Sequence, residues 1–331
     1  MKYIKSKYTQ MSVLEKQKSI KLIKDKFEKE LIKKLGIVRV SAPLIVTKES
    51  GLQDDLSGVE REVSFDVLKD GAEVEIVQSL AKWKRFALKK YDIPVHRGLY
   101  ADMSAIRRDD KMDEIHSIFV DQWDWEKVIL PQDRTIGYLK HTVCKIVKAI
   151  SDTSKYLVKK GCSDIVIGDS VYFITSQELL DMYPSLTPKE REYMITKQHK
   201  TVFIIGIGDK LSDGTPHDLR APDYDDWSMD GDLLVYHEVL DIALEISSMG
   251  VRVDGDALVR QLRDTGCMEK MQYMYHKMVA DKKLPLSIGG GIGQSRLCML
   301  LLGRAHIGEV QASYWDAKTM EECKKQGIEL L

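Results

Sequence analysis

Paired cysteines are missing from this chain. Its five (Cys144, Cys162, Cys267, Cys298 and Cys323) are odd in number, widely spaced and form no CxxC or other metal-type pairing. That argues against a disulfide scaffold and reads as free thiols in a reducing cytoplasm. Long apolar runs are missing too: none approaches the roughly 20 residues of a membrane span, so no membrane segment is expected. The Lys-rich N-terminus has neither an unbroken apolar stretch nor a small-residue cleavage site, which excludes a signal-peptide reading. An excess of one charge is lacking, since 50 Lys and Arg face 51 Asp and Glu. A balanced chain has no general field for drawing in nucleic acid, and no nucleic-acid partner is expected. There is no internal repeat, low-complexity tract or Pro-, Gly- or Ser-rich linker. What is there is 331 residues, 44% of them hydrophobic, enough for one large core, and a single domain over 1–331 is expected.

The first element is legible from end to end. Ser12 followed by Glu15 has capping-box spacing, Ile20, Ile23, Phe27, Leu31 and Leu35 recur at helical intervals, and Gly36 offers a stop. A long amphipathic helix over 12–35 follows, its lysines forming a solvated face. Short strands are predicted at Ile37–Val40 and Val74–Val77. From Ser117 to Glu126 the chain alternates, with Ile118, Val120, Gln122, Asp124 and Glu126 on one face and Phe119, Asp121, Trp123 and Trp125 on the other. A face that starts apolar and ends in three polar groups suits a strand that leaves the core and enters a cleft. Further strands are predicted at Ile165–Ile167, Val171–Ile174, Val202–Ile205, Asp232–Tyr236 and Leu244–Val253. The last should show Glu245, Ser247 and Met249 on one face. Helices are expected from Ser176, after Thr187-Pro188, and twice within 255–282. Strands come in groups, so the class is α+β with a mostly antiparallel sheet.

Three segments carry chemistry. Gly289-Gly290-Gly291-Ile292-Gly293-Gln294-Ser295-Arg296 would let backbone approach a ligand. It leads into a helix whose free N–H groups suit an anion, with the Arg296 fork in the first turn. No Gly-Lys-Ser/Thr follows, which excludes a Walker loop. A helical region rather than a strand is expected before the run, which excludes a dinucleotide fingerprint. Arg107 precedes an acidic loop and the alternating strand, placed to reach a phosphate across a hairpin. Gln78-Ser79-Leu80-Ala81-Lys82-Trp83-Lys84 joins a strand to a helix, and Lys84 is a compact charge suited to a carboxylate. Asp223, Asp225 and Asp226 crowd together. Asp232 and Glu245, on neighbouring strands with no local basic partner, would repel each other unless a cation such as Mg²⁺ intervened.

Together these segments resemble the class II aminoacyl-tRNA synthetase core, with 289–297 similar to its motif 3 and Arg107–Glu126 to its motif 2. The resemblance is closer to the ammonia-dependent asparagine synthetase family. Residues 53–58 (QDDLSG), 79–85 (SLAKWKR), 120–126 (VDQWDWE), 220–227 (RAPDYDDW) and 247–253 (SSMGVRV) look like that family's signatures, over nearly the whole chain. Leu80 replaces a proline of the related tRNA synthetases, and Lys82 is additional. The resemblance implies a cytoplasmic homodimer with a central antiparallel sheet flanked by helices. It implies aspartate, ammonia and ATP as substrates, a β-aspartyl-adenylate, and AMP and pyrophosphate as products. Position by position, it implies that Arg107 grips the α-phosphate and Arg296 the terminal phosphates. Ser117, Ser248, Arg252 and Gly293 line the nucleotide pocket, and Asp232 and Glu245 hold Mg²⁺. Lys84 holds a substrate carboxylate, Ser79, Gln122, Asp124 and Asp225 surround aspartate, and Asp54 lies near the amino group or the incoming ammonia.

Residue 2 is Lys, where glutamine-using synthetases often carry a nucleophilic Cys, so free ammonia is the expected nitrogen donor. Two other readings share parts of this pattern. A tRNA-charging enzyme for aspartate or asparagine would use the same activation but normally carries an anticodon-reading domain, whereas this chain begins with the core's first helix. A non-catalytic relative would be expected to have lost the motif arginines, and both Arg107 and Arg296 are present.

Overall fold

The computed structural model describes residues 11–331. The lysines at the extreme N-terminus, and with them the reading of residue 2, lie outside the described residues. The elements in chain order are α1 (Val13–Leu35), β1 (Ile37–Arg39), β2 (Ile45–Thr47), β3 (Val63–Asp66), β4 (Glu73–Ile76), α2 (Ala81–Lys90), β5 (Gly98–Ile106), β6 (Phe119–Val128), α3 (Ile136–Lys159), β7 (Tyr172–Thr175), α4 (Ser176–Met182), α5 (Pro188–His199), β8 (Thr201–Ile205), β9 (Asp225–His237), β10 (Ile242–Arg252), α6 (Gly255–Asp264), α7 (Met274–Ala280), β11 (Ser287–Gly293), α8 (Gln294–Leu302) and α9 (Ala317–Lys325).

Eight strands form one sheet in the order β1-β5-β6-β11-β10-β9-β8-β7, and β2, β4 and β3 form a smaller one. The large sheet is antiparallel except at its two edges, where β1 runs parallel to β5 and β7 to β8. The α+β class and the mostly antiparallel sheet are as the grouping of strands implied.

Local signals set the first helix. Ser12 and Glu15 form the reciprocal capping box, and Gly36 closes the helix in the left-handed conformation at φ 71°. Ile23, Phe27 and Leu31 are fully buried, and Phe27 packs on Trp123 with ring centroids 4.7 Å apart. Trp123 and Trp125 join α1, α3 and α8 in the core on one face of the sheet. On the other face, Leu99, Ala101 and Met103 of β5 pack with Leu80, Trp83 and Leu88 at α2 and Leu258 and Tyr275 at α6 and α7. The two-residue period of β6 therefore sends its tryptophans one way. Gln122, Asp124 and Glu126 go the other, beneath α2.

Three expectations need correction. The glycine run is not a loop after a helix: it is strand β11, seated between β6 and β10. Its neighbours require the missing side chains. A Cβ on Gly289 would strike the Glu126 carboxylate and come within 2.6 Å of Arg252 Nη2, and one on Gly291 would strike the Gln122 amide. Ile165–Ile167 is not a strand. Its backbone donates instead to serines, Ile165 to Ser163 at 3.1 Å and Ile167 to Ser154 at 3.0 Å, so it has no ladder to join. In β10 a register shift between Glu245 and Ser247 breaks the expected alternation. Ile246 and Met249, three apart, consequently share the same core.

Two outcomes follow from this packing. Gly289→Ala forces Glu126 off Arg252 inside the sheet and should cost about 3 kcal/mol or more in urea unfolding. His237 ends β9 fully buried, and burial holds its imidazole down to about 4 from an ordinary 6.5. The unfolded chain then binds the extra proton first, so stability should fall as pH drops from about 6.5 through 4, by on the order of 3 kcal/mol. In His237→Asn that part of the pH slope should flatten in thermal melts.

Candidate functional site

A cleft of about 590 Å³ opens on the α2 face of the sheet, and its walls include Asp54, Ser79, Lys84, Arg107, Ser117, Gln122, Asp124, Asp225, Glu245, Ser248, Arg252, Gly293 and Arg296. Of the residues the sequence nominated, Asp232 alone is off the wall. It sits behind Arg220, which pairs with it. A second groove, of about 700 Å³ near Trp315, Met320 and Leu331, carries none of the nominated residues.

At one end of the cleft are the two arginines. Arg107 follows β5 directly, its N–H donating to Ile118 O at 2.9 Å across the hairpin and its Nε to Gln78 O at 3.2 Å. Arg296, in the first turn of α8, donates through Nη1 to Glu245 O at 3.1 Å, with the Glu245 carboxylate 3.8 Å away. The α8 N-terminus is not the open anion site that the glycine run suggested. Its Ser295 N–H already donates to the Asp121 carboxylate at 3.0 Å, so it is the arginine forks that face the cleft. Ser117 donates to Gln311 Oε1 at 2.6 Å.

Asp232 and Glu245 do have basic partners, contrary to expectation: Arg220 for the first and Arg296 for the second. Burial, seconded by Glu245, pushes the Asp232 carboxyl above the usual range despite Arg220. Burial would lift Glu245 as well, but Arg296, Arg220 and Lys189 outweigh it and hold that carboxyl low. Asp232 Oδ1 is buried and has no hydrogen-bond partner among the described residues.

The other end is lined by buried charge. Lys84 pairs with Asp124 and donates to Gly290 O at 2.9 Å, on the floor left bare by the glycine strand. Asp124 Oδ2 is buried without a hydrogen-bond partner among the described residues. Arg252 lies between two carboxylates, 2.8 Å from Glu126 and 2.5 Å from Asp225, and Ser287 donates to Glu126 at 2.7 Å. One guanidinium serves two anions, so burial still raises the Asp225 carboxyl, while the pair of carboxylates holds Arg252 charged. Asp54 accepts from Ser79 Oγ at 2.5 Å and from the Leu56 N–H at 2.9 Å. Its loop is fixed by Gln53, whose Oε1 accepts from Gln78 N at 2.9 Å and whose Nε2 donates to Ile76 O at 2.9 Å.

Reading the sequence missed Arg220 and Asp110, both on the cleft wall. The stretch Arg220–Trp227 signals its aspartates more strongly than the arginine that leads it. The only signal for Arg220 was its place in front of them.

Comparison with known proteins agrees with this geometry. The aspartate-ammonia ligase family profile matches residues 14–327. The aspartate--ammonia ligase of Ruminiclostridium cellulolyticum is 53% identical over 317 residues, covering 95% of this chain and 94% of that one. That of Bacillus cereus strain AH187 is 53% identical over 321 residues, covering 97% and 98%. Among solved structures, the Pyrococcus horikoshii asparaginyl-tRNA synthetase complexed with asparaginyl-adenylate superposes with a TM-score of 0.67 at 15% identity, over 90% of this chain and 68% of that one. The Entamoeba histolytica asparaginyl-tRNA synthetase with the same adenylate gives 0.64 at 14%, over 89% and 66%. These structural likenesses establish the class II synthetase-like fold. The match along nearly its whole length, with the two motif arginines in one cleft, makes this chain a member of the aspartate–ammonia ligase family.

Proposed function

We propose that the chain is an ATP-dependent ligase that joins the side-chain carboxylate of aspartate to ammonia, releasing asparagine, AMP and pyrophosphate by way of a β-aspartyl-adenylate. The observation that carries this reading is the shared cleft, with Arg107 and Arg296 at one end and the Lys84–Asp124 and Arg252–Asp225 pairs at the other. That arrangement suits a nucleotide whose innermost phosphate meets an amino acid's side chain.

A carboxylate is a poor electrophile because its leaving group would be oxide. In-line attack of the aspartate side-chain oxygen on the α-phosphorus makes an anhydride and expels pyrophosphate. Negative charge grows on the phosphate oxygens, and Arg107 is assigned to offset it, with Arg296 holding the terminal phosphates. Ser117, Ser248 and Gly293 complete the nucleotide wall. Lys84 and Arg252 are assigned to the carboxylates of aspartate. Arg252, expected beside the nucleotide, is assigned here instead because its pairs with Asp225 and Glu126 favour an amino-acid role. Asp225, with Gln122, Asp124 and Ser79, is assigned to orient the substrate and receive its ammonium.

Glu245 on the cleft wall, with an Asp232 oxygen behind it that has no partner among the described residues, supports a Mg²⁺ site. Mg²⁺ commonly takes one or two carboxylates and completes its shell with phosphate oxygens and water. Bound there, the ion would supply charge neutralisation to the phosphates.

In the second half the lone pair of NH₃ attacks the acyl carbon, the C–O bond to AMP breaks, and the new nitrogen sheds a proton to Asp54. The five free cysteines fit a reducing cytoplasm. The half-exposed Val38 on edge strand β1 and Leu44 after it suit burial against a second copy in a homodimer.

Incubation with ¹⁵N-ammonium, aspartate and Mg-ATP should yield amide-labelled asparagine and one AMP for each asparagine. Release of ADP and phosphate would replace the adenylate with an acyl phosphate. In Asp54→Asn, asparagine formation at low ammonium should fall by about 10²-fold. Steady-state kinetics that match the unaltered chain would remove Asp54 from proton transfer.

A further inference from the structure

Behind the cleft, with none of its own side chains on the wall, lies a second charged cluster that the reaction as described does not use. Its centre is Asp223, completely buried. One of its oxygens, Oδ2, takes Lys82 Nζ at 2.7 Å, His276 Nε2 at 2.9 Å and Lys270 Nζ at 3.6 Å. Lys270 reaches on to Asp55 at 2.5 Å. Lys82 is the lysine that the sequence comparison left over as additional. The cluster thus ties together α2, the segment two residues before Asp225, the turn before α7, and the loop that carries Asp54. That loop also packs tightly against the same region: a Cβ on Gly51 would come within 2.5 Å of Tyr273 Cβ and 3.3 Å of His276 Nδ1.

We infer that Lys270 is a positioning residue for the ammonia-dependent step, a clasp between Asp223 and Asp55 that fixes the neighbouring Asp54 carboxylate on the cleft wall. The inference rests on the ligase reading above. Stability is a poor explanation for the cluster, because buried ion groups seldom outperform apolar packing. The Asp55 end is also half exposed (45%), where a pair contributes little to folding. Position is where this pair has leverage: Asp54 is the next residue along the chain, and its own side-chain contacts, to Ser79 and the Leu56 N–H, all lie on the cleft side. Asp223 and Lys82 anchor the clasp from the interior. Asp225, two residues beyond Asp223, is held separately by Arg252, so the activation step does not depend on the clasp.

Two assays on the full chain separate this role from a structural one. Aspartate-dependent ATP–pyrophosphate exchange reads activation alone, and asparagine formation at limiting ammonium reads both steps. Lys270→Met and Asp55→Asn should each leave exchange within about twofold and raise the ammonium KM on the order of tenfold. The double variant should be no worse than either single, Lys270→Arg should restore most of the loss, and melting temperatures should stay close to that of the unaltered chain. Equal losses in both assays, additive losses in the double variant, or an unchanged ammonium KM would overturn the clasp. An unaltered chain that shows no exchange and makes no asparagine would overturn the ligase reading, and the clasp with it.

Discussion

The guanidinium of Arg252 is the interaction on which the rest of the site depends. It is buried, held by Glu126 on β6 and Asp225 on β9, and it stands at the end of β10. Both carboxylates lean on this one cation for their direct side-chain ion pairs. The imbalance shows in Asp225, whose carboxyl burial still raises. A buried ion triad gives little stability for its desolvation cost. It does create a place where an amino acid's ammonium and carboxylate would each find an opposite charge already oriented. Lys84 with Asp124, a few residues along the same β6 face, repeats the device.

The sheet is built around that triad. Glu126 lies flat across β11 only because residue 289 has no side chain, and Gln122 lies across residue 291 for the same reason. The glycines leave a bare strip between β6 and β10, on which charged side chains from both neighbours converge, and Lys84 reaches down from α2 to the Gly290 carbonyl. Bulky strand residues there would have given a better β-strand and no cleft. The opposite face shows the trade: Trp123 and Trp125 of β6 pack with Phe27 into an ordinary dry core.

How much of this was legible follows from what each segment signals locally. Helix α1 was readable from Ser12 to Gly36 because caps and periodicity agree, and β6 because its two faces differ so sharply in chemistry. Strand β11 was not, since glycines carry no periodic pattern and disfavour strands on their own. Its conformation is imposed by β6 and β10, which are distant in sequence. Ile165–Ile167 misled for the opposite reason: an apolar run with strand composition whose N–H groups are taken by Ser163 and Ser154. That Arg107, Lys84 and Arg296 line one cleft is readable from the motifs. The site's pairing is not. That Asp232 answers to Arg220, that Asp121 covers the α8 N-terminus, and that Arg252 belongs with Asp225 are facts of register and tertiary distance.

The same view explains why so few identities preserve the fold. The tRNA synthetases that superpose on this chain share 13–16% of its residues, a level at which the core packing must have been rewritten. Cores tolerate such rewriting when volume and patterning persist. Charged pairs inside a cleft do not, because removing one partner strands the other in a low-dielectric setting. The apolar faces of α1, α3 and β5 need only stay apolar. Arg252, Glu126, Asp225 and the glycine at 289 interlock, so replacing any one of them alone strands or crowds the others.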